Sequence, residues 1–540
     1  MSPARRAVVV FASTLLTSCG DDAVGVGEGT TSTGTTGTSD VESSSGSPPA
    51  ETSSTAIADE SSSSGAPVDV PLEYARGVRL TRLVANQGMQ IDLTVDGVDV
   101  DPADYPVRFI TGRRTLVRAF WSLHASFTPR ELVGRLEVTY PDGTVRVDDR
   151  PAMVAGVSED NGPSFQWLLE PDDVRPGMRL RAYALEPDPS IATGELSEPP
   201  PLLPYGGAIE LPLVDSAFEM EVVLVPVLHQ LDGCEQAPVP TEQDVLALAH
   251  DLEQNNALQH ANVTVGEPMP YTAPIGGQDM GFSPILAALA IRRDQDSPPD
   301  NVYYYGLLDS CDGFPGGLLG QALGIPEALP ELANQRVATG RWQGSGAAAA
   351  ETFTHEVGHS QGRRHITCSG GEGGPELDYP HDNGRIGSWG FGIHDFELRP
   401  PTKARDYMTY CANAFVSDYG WEKTLDVIET LTGWGDADIA PPDARVLMGI
   451  VHDDGKAVWW TARGTVPAED GASIDARVVW TIEGLEHTTA VRQDALPDAP
   501  RGERGIVITA ALPEFATAAT SVRLSLSDGR EIAVDRAALR

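Results

Sequence analysis

Lysine is almost missing from this chain: only Lys403, Lys423 and Lys456 stand among 38 basic side chains, against 78 acidic ones. The resulting formal charge of −40 argues against nucleic acid as a partner, because phosphate binding needs clustered Lys and Arg. The negative field is read as solubility rather than as a binding device. Long hydrophobic runs are missing too, since no stretch reaches the roughly 18 apolar residues of a membrane-spanning helix. There is no Walker-type phosphate loop and no EF-hand loop. The many acids leave room for calcium, but no loop supports a Ca2+ site. What is present is 41% hydrophobic residue content over 540 residues, enough for a core in each of three or four domains.

The first 18 residues read as an address. Arg5 and Arg6 form a positive n-region, and Ala7 to Leu16 an apolar h-region too short to span a bilayer. Leu16-Thr17-Ser18-Cys19 resembles the bacterial lipobox, in which the Cys becomes the first mature residue and carries the lipid. The expectation is therefore an exported protein, lipid-anchored through Cys19 to a bacterial membrane, at the outer membrane or cell surface. Residues 19–67 are rich in Ser, Thr and Gly, with few large apolar side chains to offset the entropy of ordering, and read as a tether.

Three folded regions follow. Residues 68–214 carry short alternating runs such as VRLTRLV, TLVRAFWSL and RLRAYAL, with Tyr140-Pro141-Asp142-Gly143 as a hairpin turn. This region reads as an all-β sandwich. Residues 215–432 alternate strand and helix patterns: strands at Met220–Leu228, Val263–Val265 and Asn301–Leu308, helices at Glu242–Asn256 and Pro284–Arg293. That alternation predicts an α/β layer. Residues 433–540 return to short strands such as ARVLMGIV and GIVITAAL, a second β-sandwich. The expected fold is a central α/β (α+β) domain flanked by two all-β domains.

The chemistry concentrates in Thr354-His355-Glu356-Val357-Gly358-His359-Ser360-Gln361-Gly362-Arg363-Arg364-His365. The alanines before it favour helix, and residues four apart share a helix face, so His355 and His359 point two imidazoles at one place. Gly362 can adopt a left-handed conformation, ending the helix and returning His365 as a third nitrogen ligand. Three protein ligands suit a catalytic zinc with an open fourth position. Glu356 follows the first ligand, where it can act as general base on zinc-bound water. The full five-residue pattern arises by chance on the order of 10⁻⁵ times per chain of this length, so a fortuitous motif is set aside.

This His-Glu-x-x-His-x-x-Gly-x-x-His run resembles the metzincin zinc peptidases. The family also carries a downstream Met-turn, and Asp406-Tyr407-Met408-Thr409-Tyr410-Cys411 matches it in spacing and Met-x-Tyr form. The resemblance implies that Met408 floors the site and that Tyr410 is an extra zinc ligand or oxyanion partner. It implies a surface zinc endopeptidase acting on extracellular proteins or peptides, with one catalytic Zn2+. Two alternatives are a zinc-binding adhesion module without catalysis and a zinc amidase acting on cell-wall peptides. The intact Glu356 favours an enzyme. His381 and His394, in the Gly-rich insert before the Met-turn, read as solvent-facing loop residues.

Cys234, Cys311, Cys368 and Cys411 remain after Cys19, an even number in an exported chain with three possible pairings. Cys368 lies three residues past the third histidine, and Cys411 three past Met408. If both segments flank one metal site, Cys368 pairs with Cys411 and Cys234 with Cys311. No Pro-Arg-Cys-Gly-type cysteine switch points to zymogen control.

Overall fold

Alternation of apolar and polar side chains organises the N-terminal region. In the computed structural model, which describes residues 72–539 apart from 189, 191–193, 195, 277–279, 369–373, 436–443, 468–475 and 499–504, it forms two main antiparallel sheets. The leader, Cys19 and the tether lie outside the described residues. One sheet contains β1 (Val78–Asn86), β2 (Gln90–Val95), β3 (Thr115–Leu123) and, from further along the chain, β6 (Phe165–Leu169), in the order β2-β1-β3-β6. The other contains β4 (Arg130–Thr139), β5 (Val145–Val154) and β7 (Arg179–Glu186), with β4 in the middle. β4 buries every second residue, as a strand with one face on a core must. Gly143, at φ +82, turns β4 into β5 at the expected Pro-Asp-Gly corner. Trp121, Phe165 and Trp167 pack against one another in the core with tilted rings.

The central region is a mixed sheet. β8 (Glu219–Leu231), β10 (Tyr303–Leu308) and β12 (Val337–Arg341) run parallel, and β9 (His260–Val265) lies beside β8. The edge strand β11 (Gly320–Ala322) pairs antiparallel with β12. β10 is buried along its whole length, consistent with a strand covered on both faces. The helices are α1 (Glu242–Asn255), α2 (Ser283–Asp296), α3 (Gly346–Ser360) and α4 (Asp418–Gly435). Side chains of α1 and α3 join a core that continues into the N-terminal sheets, whereas α2 shares a second core with the C-terminal sheet.

The C-terminal region is one antiparallel sheet. β13 (Arg445–His452), β14 (Ala457–Arg463), β15 (Arg477–Ile482), β16 (Leu485–Ala495), β17 (Gly505–Ala511) and β18 (Ser521–Ser525) run in the order β14-β13-β17-β16-β15-β18, with Glu531–Ala533 on the last edge. The protein is thus β-rich and multidomain, with several sheets and few helices. No helix of the described residues is long and apolar enough to cross a membrane. Cys234 joins Cys311, and Cys368 joins Cys411. Two such pairs suit an oxidising compartment.

Candidate metal centre

Helix α3 starts where Ser345 Oγ accepts the Ala348 N–H at 3.2 Å, a cap worth about 1 kcal/mol. Its first turn is tied to α1 by the Gly346 N–H donating to Asp244 Oδ1 at 2.7 Å, and its middle by Thr354 Oγ1 donating to Asp251 Oδ2 at 2.6 Å. Phe353 meets Tyr305 edge-to-face at 4.8 Å. The helix is held on several sides, so the side chains of its last turns are fixed in direction. After Gln361 the chain turns at Gly362, with φ +87, and the Arg363 N–H bonds back to the Gly358 carbonyl at 3.0 Å. This left-handed residue reverses the chain and returns His365 to the face that His355 and His359 occupy.

The three imidazoles converge, with ring centroids 4.6 to 5.4 Å apart. His355 Nδ1 donates to the Tyr407 carbonyl and His359 Nδ1 to the Arg363 carbonyl, both at 2.8 Å. Each bond leaves an Nε2 lone pair facing the centre. His359 Nε2 lies 3.1 Å from His365 Nε2, and His355 Nε2 is buried with no hydrogen-bond partner. The His355 pKa falls to about 3, through burial first and then the neighbouring His359. Burial also draws His359 down. Neutral imidazoles with lone pairs turned inward are the form that ligates a cation.

Met408 lies fully buried beneath α3. A Cβ on Gly358 would come within 2.6 Å of Met408 Sδ and 2.8 Å of the Tyr407 ring, so glycine is what allows this close approach. The turn is braced by Asp406, which pairs with Arg363 at 3.2 Å in the interior and accepts the Met408 N–H at 2.9 Å. Arg363 belongs to the histidine loop, so one buried ion pair locks the loop to the turn. Cys368–Cys411 fastens the same two segments covalently. Tyr410 Oη lies 3.0 Å from His365 Nε2.

Glu356 is buried beside β11. A Cβ on Gly320 would come within 2.6 Å of its Oε1, so glycine in the edge strand makes room for the carboxylate. Burial and then the Asp498 carboxylate hold Glu356 well above the usual carboxyl range.

Asp498 was not foreseen. It follows β16 in the C-terminal region, and its Oδ1 lies 3.0 Å from His365 Nε2 while Oδ2 lies 2.9 Å from His359 Nε2. It also accepts a hydrogen bond from Tyr410 Oη. Burial opposes ionisation of Asp498, but His359 and His365 outweigh it and hold the carboxyl well below its usual range. The ligand atoms of His355, His359, His365 and Asp498 all lie within 4.8 Å of one another, a spacing compatible with one metal ion. No local pattern in the sequence marks Asp498.

His381 and His394 stand apart from this centre, and neither is the solvent-facing loop residue expected. Each is only partly exposed because a carboxylate holds it: His381 Nε2 lies 2.6 Å from Asp418, and His394 Nε2 lies 2.6 Å from Glu253. No protein-family model matches the chain, and no curated protein matches it.

Proposed function

We propose that the protein is a zinc-dependent peptidase of metzincin type that acts on extracellular proteins or peptides. The observation that carries this reading is the convergence of three imidazoles, two of them anchored through Nδ1 to backbone carbonyls, with a buried carboxylate on the same helix. Zinc supplies Lewis acidity that activates water and polarises a carbonyl. His355, His359 and His365 would hold the ion. Glu356 would serve as the base, its carboxylate form taking the proton from the attacking water and passing it to the leaving amine. Tyr410 Oη, beside His365, donates toward the oxygen that gains charge. Met408 and the Arg363–Asp406 pair set the floor and keep the ligand loop from shifting.

The address segment supports a place of action outside the cell, with lipid on Cys19. Replacing Cys19 by Ala should abolish partition of the native protein into detergent. A second reading, a zinc-binding module without catalysis, draws support from Asp498, since four protein ligands are typical of structural sites. The two readings part on Glu356→Gln, which keeps side-chain shape and metal content but cannot take the proton. Hydrolysis of a peptide library should fall by about 10²–10⁴-fold, measured in both the native chain and an Asp498→Ala background. If neither parent cleaves any peptide faster than its Glu356→Gln counterpart, the binding module takes the place of the peptidase.

A further inference from the structure

We propose that the C-terminal β region caps the metal centre: Asp498 is a fourth protein ligand, and the turn that carries it holds the enzyme in a latent form until it is withdrawn. The inference rests on the reading that the three imidazoles hold a metal ion.

A buried carboxylate needs an opposite charge nearby to offset its desolvation. A divalent cation among His355, His359 and His365 supplies it. The Asp498 side chain is only 5% exposed, and its Oδ1 lies 3.0 Å from His365 Nε2 and 4.0 Å from His355 Nε2. It therefore fills the space that a substrate carbonyl would have to enter.

The turn reaches the site across the edge strand. Gln321 Nε2, on β11, donates to the Pro497 carbonyl at 3.3 Å and to the Asp498 carbonyl at 3.4 Å. Gln321 is the neighbour of Gly320, which makes room for Glu356. The turn thus covers the same strand edge that borders the base. At its root, Leu496 is buried in the core shared with the C-terminal sheet, and its N–H donates to the Gly505 carbonyl at 3.0 Å.

Two features separate a cap from a permanent structural ligand. A site that only stabilises the fold has no use for a base, yet Glu356 and Tyr410 are both held at this centre. Asp498 also comes from a turn 133 residues beyond His365, not from the helix, its loop or the Met-turn. Withdrawing Asp498 leaves the backbone bonds that orient His355 and His359 intact. While docked, the tethered carboxylate competes with substrate as an intramolecular ligand at high effective concentration.

The test uses the full chain loaded with Co2+, as native protein and as Asp498→Asn, Asp498→Ala and Gln321→Ala, with acetohydroxamate as the probe. Asp498→Asn keeps the shape of the turn, and circular dichroism with thermal melting checks that each variant is folded. Both Asp498 variants should show a changed cobalt absorption spectrum and bind acetohydroxamate at least roughly tenfold more tightly than the native chain, with Gln321→Ala in between. Peptide hydrolysis should rise in the same order. An identical spectrum and identical probe affinity in native chain and Asp498→Ala, each with one cobalt, would overturn the cap. Folded Asp498→Asn that cannot retain cobalt would overturn it as well, making Asp498 a structural ligand. A site that opens without any hydrolysis sustains the cap and removes the peptidase reading. Native protein that takes up no cobalt removes both.

Discussion

Two histidine clusters lie among the described residues, and the difference between them is one of direction, not composition. His355, His359, His365 and Asp498 form one; His250, Glu253 and His394 form the other. In the first, backbone carbonyls take the Nδ1 protons of His355 and His359, leaving Nε2 lone pairs that converge. In the second, His394 Nε2 is committed to Glu253, and His250 stacks on His394 at 3.8 Å with an interplanar angle of 11°. Stacked rings keep their in-plane lone pairs in separate, nearly parallel planes, so the two do not converge on one ion. Burial first, then the neighbouring His394 and Arg114, draw the His250 pKa down against the opposing pull of Glu253. The first cluster is arranged to bind; the second compensates a buried carboxylate and pins the insert to α1.

The largest expected effect tests that division directly. His359→Ala should weaken zinc binding by more than the ~10–100-fold typical of losing a residue that merely supports a ligand. His394→Ala should leave zinc stoichiometry and affinity as they are. Equilibrium competition against a chelator measures both, and equal losses in the two variants would erase the distinction.

Next comes the brace beneath the first cluster. Arg363 and Asp406 are buried, so Asp406→Ala leaves an unpaired interior charge and should cost about 3–5 kcal/mol in urea unfolding. The partly exposed Arg399–Asp395 pair should be worth about 0–1 kcal/mol when broken in the same way. Similar losses from both would show that the brace is ordinary surface electrostatics.

The smallest effect belongs to the second cluster and appears only in acid. Burial opposes ionisation of Glu253, but hydrogen bonds from His394 and the Ala261 N–H outweigh it, so its pKa lies below the usual value. A depressed carboxyl contributes stability that is fully present above the unfolded pKa, about 4.3, and is lost as pH falls through the folded value. Urea midpoints of Glu253→Gln should therefore lie below those of the native chain above about pH 4.3 and approach them in stronger acid. A constant gap at every pH would assign the loss to packing.

How much of this was legible from the residues follows from range. The helix that carries His355 and His359, its glycine stop and the turn at Met408 were readable because their signals are local: four-residue spacing, one glycine at φ +87, and a Met-x-Tyr about 40 residues on. The parallel strands β8 and β10 were readable as apolar runs. Asp498 was not, because nothing within a few residues of it distinguishes it from any other Pro-Asp turn, and its meaning lies in a contact 133 residues away. The pairing of His394 with Glu253 was missed for the same reason, since 141 residues separate them. The Gly358 contact with Met408 lies between these cases: both residues belong to readable motifs, but only the fold shows why the first has no side chain.

The claim on which the rest depends is one zinc ion held by His355, His359 and His365 with Asp498 in the fourth place. Zinc-edge X-ray absorption on the metal-loaded full chain addresses it most directly. The expected spectrum has three imidazole nitrogens and one carboxylate oxygen at about 2.0–2.2 Å, with imidazole scattering reduced in His365→Ala and the carboxylate replaced by solvent in Asp498→Ala. A spectrum with sulfur ligands, or one that stays the same in both variants, would contradict it.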